Sequence, residues 1–327
     1  MSWTSGMVFF RNVGRGIVRQ KWRVTLAVLG FCLFFVFSAL GLEVVDDAGR
    51  VVRLAVPASR VVSLTPANTE IVFALEAGEK LVGVTTYCDY PKEAKDKEKV
   101  GSLTEVDLEA VVRLAPDLVL AGSLTPKETI DRLAGLGYPV VVLDAKSLSE
   151  VLEGIRKVAL LLGKENEGEK LVASLERTIR DISTKVAGIP EDARPLVFHV
   201  IWHDPLWTAG KNTFIHEFIT LAGGRNVAGD LEGYVTFDLE ELVRRNPDII
   251  TVVSSHGEEN SPYQFVLSDP RLRTLKAVQR KKVFVVDSDI VSRPGPRVVE
   301  ALRVFASLIH PELFPQEAAT MHTPPSE

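Results

Sequence analysis

The segment Asp107-Leu-Glu-Ala-Val-Val-Arg-Leu-Ala-Pro-Asp117 recurs 131 positions later as Asp238-Leu-Glu-Glu-Leu-Val-Arg-Arg-Asn-Pro-Asp248. Self-similarity of this kind marks duplicated structural units, so the chain has to fold as two pseudo-equivalent halves. In each copy an Asp stands where it can cap a helix, and a Glu two places on lies in the electropositive first turn. Pro-Asp then stops the helix ahead of an apolar run.

Short apolar runs at 61–64, 81–84, 118–121, 140–143, 196–201, 249–253 and 283–286 have the length and continuity of strands buried on both faces. Amphipathic stretches such as 108–114 and 214–221 lie between them, and this alternation implies α/β layers built on parallel sheets. Over 147–188 apolar residues keep helical spacing and no strand intervenes, which predicts a stiff helical connector split into two helices near Gly163 and Gly168. The expected organisation is an export or anchor segment at 1–41, a first α/β lobe at 42–146, the connector at 147–188, a second lobe at 189–314 and a disordered tail at 315–327. With 46% apolar and 25% charged residues the chain can supply a core of ordinary size to each lobe. A crevice between two such lobes, at the carboxyl ends of their strands, is where a ligand is expected.

Residues 1–23 carry Arg11, Arg15, Arg19, Lys21 and Arg23 without an acid, and 24–42 are uncharged, which is an export signature. Ala39 and Gly41 suit cleavage after Gly41, while an uncleaved anchor is the alternative because the run can span a bilayer core of about 30 Å. Cys32 is a poor lipidation site, since Phe31 precedes it and the apolar run continues beyond it. Removing 1–41 takes five bases from the 38 and leaves 33 against 43 acids, a charge of −10 that repels nucleic acid. Cys88 is then the one remaining cysteine, which excludes an intrachain disulfide and a Cys-rich metal site.

Leu64-Thr-Pro-Ala-Asn-Thr-Glu70, Tyr87-Cys-Asp-Tyr-Pro91, Trp207-Thr-Ala-Gly-Lys211, Leu221-Ala-Gly-Gly-Arg-Asn226, the two Asp-Leu-Glu…Pro-Asp segments and Arg293-Pro-Gly-Pro-Arg297 occur in that order. Over 60–308 the chain thereby resembles the periplasmic substrate-binding proteins of ABC importers for cobalamin and ferric complexes, most closely the cobalamin-binding branch. The resemblance implies two Rossmann-like lobes with central parallel sheets joined by a long interlobe helix, modest closure, and a ligand held between the lobes. It also implies that Glu109 and Glu240 dock into arginines of a permease dimer served by ATPase subunits, and charge-assisted pairing suits that task. Each glutamate could equally do no more than complement a helix N-terminus.

For ligand contact the aromatic faces of Tyr87, Trp207 and Tyr234, all beside turn residues, suit a macrocycle. Pro66, Ala67 and Asn68 form the turn after the first strand, whose backbone N–H groups can meet a ligand acceptor, unless Asn68 caps the helix instead. By resemblance Asp289 and Arg293 reach the ligand rim from the second lobe; the alternative is a surface ion pair. Leu103 stands where cobalamin binders often carry a tryptophan.

The expected cargo is cobalamin or a related corrinoid, carried as ligand rather than cofactor. A ferric siderophore or haem is the alternative, for which Arg293 or Arg297 would meet anionic groups. His199, His203, His216, His256, His310 and His322 leave the first lobe without an imidazole, which argues against an interlobe metal cage. His199 reads as a core histidine, whereas His203 with Asp204 could reach the cleft. No nucleophile elbow, dinucleotide fingerprint or zinc-protease motif occurs, and Pro205 replaces the first glycine of a P-loop, so an extracytoplasmic enzyme is the distant alternative. The protein is expected in the periplasm or on the outer face of the cytoplasmic membrane.

Overall fold

The computed structural model describes residues 41–254 and 262–315; the predicted export segment up to residue 40 and nearly all of the predicted tail lie outside them. Among the described residues no helix is long and apolar enough to cross a membrane. The first lobe contains β1 (Leu42–Val45), β2 (Val51–Leu54), β3 (Val61–Ser63), α1 (Pro66–Ala74), β4 (Leu81–Val84), α2 (Leu108–Arg113), β5 (Leu118–Gly122), α3 (Lys127–Gly135) and β6 (Val140–Leu143). Helices α4 (Leu148–Leu162) and α5 (Glu165–Val186) follow. The second lobe contains β7 (Leu196–Val200), β8 (Trp202–His203), β9 (Leu206–Ala209), α6 (Phe214–Leu221), β10 (Arg225–Asn226), β11 (Tyr234–Thr236), α7 (Leu239–Arg245) and β12 (Ile249–Val253). It closes with α8 (Pro262–Ser268), α9 (Lys276–Gln279), β13 (Val283–Val286), α10 (Ser288–Ser292) and α11 (Val298–Ile309).

Each lobe has a four-stranded parallel sheet, in the order β4-β3-β5-β6 and β10-β7-β12-β13. Numbered within its own sheet, each runs 2-1-3-4, so the order reverses beside the first strand, where open α/β sheets bind ligands. The duplicated segment does the same work twice. Asp107 accepts the Ala110 N–H at 2.9 Å and Asp238 the Glu241 N–H at 2.8 Å, capping α2 and α7. Both helices end in a left-handed residue at the equivalent place, Ala115 at φ 44° and Asn246 at φ 49°. The closing aspartates then tie the third strand to the first: Asp117 accepts from the backbone of Ser59 and Arg60, and Asp248 from Leu196 N–H at 3.0 Å.

The lobes do not have separate cores. One cluster of buried apolar side chains runs from β1–β3 of the first lobe through α4 and α5 into α6 and α11 of the second, and smaller clusters fill the other face of each sheet. The connector is therefore part of the shared core as well as a bridge. It breaks at Gly163, which caps α4 with φ +66°, whereas Gly168 lies inside α5. A Cβ on Gly168 would fall 2.5 Å from Ala159 Cβ, so its absence lets the two helices approach.

A second device crosses between lobes. Arg297 donates from Nε and Nη2 to both oxygens of Glu70, at 2.9 and 2.8 Å. Arg293 Nη1 donates to Glu70 at 3.3 Å and to Asp89 at 2.7 Å, and its Nη2 lies 2.8 Å from Asp289. Tyr90 supports Arg297 from beneath, with the guanidinium carbon 4.2 Å from the ring centroid. The Glu70 side chain is 2% exposed and both arginines 14%, so a guanidinium left without its carboxylate is only weakly screened by water. Burial alone would raise the Asp89 pKa, but hydrogen bonding to Arg293 and its charge outweigh that and hold the carboxyl below its ordinary 3.8.

Gly168→Val should lower unfolding free energy by about 1–3 kcal/mol through overpacking, read as a reduced urea midpoint; an unchanged midpoint would contradict the close α4–α5 contact. Glu70→Gln should cost about 2 kcal/mol, less than a fully buried pair because the arginines keep some solvent. A depressed carboxyl stabilises the fold above its unfolded pKa and stops doing so as pH falls through the folded value. The stability difference between wild type and Asp89→Asn at pH 7 should therefore shrink below about pH 4, and a pH-independent difference would remove Asp89 from the ionic cluster.

Candidate functional site

A largely apolar cleft of ≈ 320 Å³, open to solvent, lies between the lobes at the switch point of the first sheet. Three adjoining turns of the first lobe build one wall. Thr65 caps α1 by accepting the Asn68 N–H at 3.4 Å, which brings Pro66, Ala67 and Asn68 to the cleft. Asn68 is not the cap: its side chain is 2% exposed and donates from Nδ2 to Ala121 O at 2.9 Å, joining the start of α1 to the end of β5. That bond fixes the turn after β3 against the Gly122–Ser123 turn. The third turn carries Tyr87, which is 55% exposed, while its neighbour Cys88 is buried with Sγ 3.2 Å from both Thr69 and Thr85 hydroxyls. Cys88 thus anchors the loop from below and leaves the Tyr87 ring free. Leu103 and Leu124 extend the apolar wall, and Leu124 is 61% exposed.

Asp289 and Arg293 line the cleft from the second lobe, joined to each other by an i,i+4 pair along α10. The floor comes from the connector, through Glu150, Val151 and Gly154. Its charges are already engaged: Glu150 accepts the Lys146 N–H at 2.6 Å, and the neighbouring Asp47 pairs with Lys157 at 2.7 Å. Glu217 of the second lobe accepts the Leu148 N–H at 2.7 Å, and burial raises its carboxyl pKa.

Trp207 and Tyr234 do not line this enclosed volume. They lie on the antiparallel sheet β11-β9-β8, where Trp207 faces Trp202 on one side and Thr236 on the other, and Tyr234 faces Ala209. Cross-strand partners share a face, so Trp202, Trp207 and Tyr234 form one aromatic surface, with exposures of 38%, 37% and 55%. This ribbon leaves the carboxyl end of β7, the edge of the second sheet where an α/β fold receives ligands. Trp202 carried no site expectation, although two tryptophans flanking a short turn were a readable signal for such a surface.

His199 is the core histidine the sequence suggests, whereas His203 is not a cleft residue. His199 is buried with Nδ1 2.9 Å from Thr251 Oγ1 and Nε2 unpartnered, and burial lowers its pKa to about 3, so the ring is neutral. His203 packs between Trp202 and Phe265, at ring distances of 5.0 and 5.4 Å, rather than in the cleft. Among the described residues no group of three His, Cys, Asp or Glu side chains is placed to hold a metal ion.

Glu109 and Glu240 are both exposed, in the first turns of α2 and α7. Both helices run back along the strands they precede, which puts their N-termini at the carboxyl edges of the two sheets, the side of the cleft mouth. Neither glutamate has an ion-pair partner among the described residues. The adjacent Glu241 contrasts with them, since Arg244 and Arg245 hold it through Nε at 2.7 and 2.5 Å and push its pKa down to about 2.

Residues 61–290 match the periplasmic binding protein family. An ABC transporter substrate-binding lipoprotein, YvrC, of Bacillus subtilis (strain 168) is 36% identical over 276 residues, covering 83% of this chain and 86% of that protein. A vitamin B12-binding protein of Vibrio cholerae is 28% identical, covering 75% and 87%. The solved periplasmic heme-binding protein RhuT from Roseiflexus sp. RS-1 superposes with a TM-score of 0.70 at 28% identity, covering 78% and 99%. With a family match across most of the chain and a relative 36% identical over most of both lengths, the chain belongs to the periplasmic binding protein family.

Proposed function

We propose that the protein is an extracytoplasmic solute receptor of an ABC importer, that it has no catalytic role, and that its cargo is cobalamin or a related corrinoid. The single observation that carries the cargo reading is a largely apolar interlobe cleft with Tyr87 and Leu124 exposed and with Asp47, Asp289 and Arg293 of its lining held in ion pairs. Such a lining offers flat and apolar contact together with neutral polar atoms, which suits a large macrocycle with an amide rim. The vitamin B12-binding relative supports the same reading. Haem or a ferric siderophore is the second reading, favoured by the likeness to RhuT.

In this reading Pro66, Ala67, Asn68, Tyr87, Asp289 and Arg293 contact the enclosed part of the ligand. The aromatic ribbon with Trp207 and Tyr234 meets the part that projects toward the second lobe. Ligand bridging stabilises a slightly closed arrangement and sets Glu109 and Glu240 at the separation that a permease dimer, driven by its ATPase subunits, recognises. Segment 1–41 exports the chain and is either removed after Gly41 or kept as an anchor, so the protein meets the membrane through that segment or through the permease.

The chain's four tryptophans include two in 1–41, so the cleaved protein fluoresces from Trp202 and Trp207 alone. Cobalamin should quench that emission saturably, and flat responses to cobalamin, haem and ferric siderophores would contradict the receptor reading. Replacing both Glu109 and Glu240 by Arg should lower uptake by at least about tenfold while ligand affinity stays unchanged. Undiminished uptake would sink the docking assignment.

A further inference from the structure

The cluster that joins the lobes also borders the ligand cleft, and its charge is unevenly distributed. Among the described residues Arg293 is the one guanidinium in the cleft lining, and three carboxylates reach it: Asp89 at 2.7 Å, Asp289 at 2.8 Å and Glu70 at 3.3 Å. Arg297, behind it, is committed to Glu70 through two hydrogen bonds. The cluster thus has three acids to two bases, and exposure follows the same sense. The acids Asp89 and Asp289 present 46% and 30% of their side chains to solvent, against 14% for each arginine. Of the cluster, Asp289 and Arg293 line the cleft and Asp289 is the more exposed of the two, while Asp89 holds Arg293 from the loop that carries the lining residue Tyr87. Glu150, which has only a backbone N–H partner, adds an acid along the connector side of the same cleft, whereas Asp47 there is paired with Lys157.

We propose, building on the reading of the cleft as the ligand site, that Asp89 with Asp289 forms a charge filter that occupies Arg293 and selects cargo with a neutral or cationic rim over cargo bearing carboxylates. An anionic group seeking Arg293 has to displace Asp89 or lie beside both aspartates, and in either case a like charge stands within a few ångströms in a partly desolvated site. A neutral amide rim suffers no such repulsion, because an amide can donate to the exposed aspartate oxygens. Specificity then comes from a repulsive element as well as from contact. Asp89 lies in the same loop as Tyr87, so one segment supplies both an aromatic face for the ligand and the charge that restricts which ligand uses it. The filter also accounts for an arginine in an apolar cleft that is not available to carboxylate ligands.

The test compares wild type, Asp89→Asn and Asp89→Lys, each titrated with haemin, which carries two propionates, and with cyanocobalamin, whose rim is amide. Asp89 is nearly half exposed, and circular dichroism checks that each variant is folded. The ratio of haemin to cyanocobalamin affinity should rise about tenfold in Asp89→Asn and further in Asp89→Lys, with the differences contracting at high salt. Equal ratios in the three proteins would overturn the filter while leaving the cleft assignment standing. Binding of neither ligand by any of the three would overturn the cleft assignment and the filter together.

Discussion

The paired guanidiniums of Arg293 and Arg297, reaching across from the second lobe to Glu70 and Asp89 of the first, set the geometry on which the site depends. Without that cluster the cleft would have two walls joined by a helical back alone. With it, the walls are fastened beside the ligand as well as behind it. The arrangement draws on three separate pieces of sequence: Glu70 at the end of the first turn's helix start, Asp89 and Tyr90 in the loop after β4, and both arginines of the Arg-Pro-Gly-Pro-Arg segment. Gly295, between the arginines, lies beside Ala67 of the first lobe, where a Cβ would be in ordinary van der Waals contact.

A buried ion pair of this kind is a poor source of net stability, because desolvation offsets most of its attraction. Its value lies in specifying one relative position of the lobes. The apolar cluster through α4 and α5 acts in the same sense, since opening the lobes widely would expose part of it to water. Together they restrict lobe motion and keep the exposed glutamates of α2 and α7 at a nearly constant separation. A receptor built this way can report occupancy through a small change in angle, amplified by two distant docking points.

The duplicated lobes, the parallel sheets and the helical connector were legible in the sequence because each rests on local patterning: apolar runs, capping aspartates and helical spacing. What the closing aspartates of the repeat accomplish was not legible, since Asp117 and Asp248 act on Ser59, Arg60 and Leu196, more than fifty residues upstream. Strands β8, β10 and β11 escaped notice because they are two or three residues long and partly polar. The expectation of a separate core in each lobe gave way to a shared one, because the connector's apolar stripe packs on both lobes. At the site, Tyr87, Asp289 and Arg293 were nominated from turn context and resemblance. The i,i+4 pairing of Asp289 with Arg293 is readable from their spacing, but the first-lobe partners Glu70 and Asp89 lie 223 and 204 residues away and had no sequence signal, and Asn68 joins the start of α1 to the end of β5 rather than capping the helix.

Hydrogen–deuterium exchange of the protein with and without saturating cyanocobalamin tests the central claim, that cargo is held between two lobes that scarcely move. New protection is expected at backbone amides around 65–71, 86–90, 122–125 and 288–295 and along the ribbon at 202–208 and 234–236, with the cores of α4 and α5 unchanged. Protection at the open groove around Arg194, Thr220 and Arg225, or changes spread through the connector helices, would contradict it.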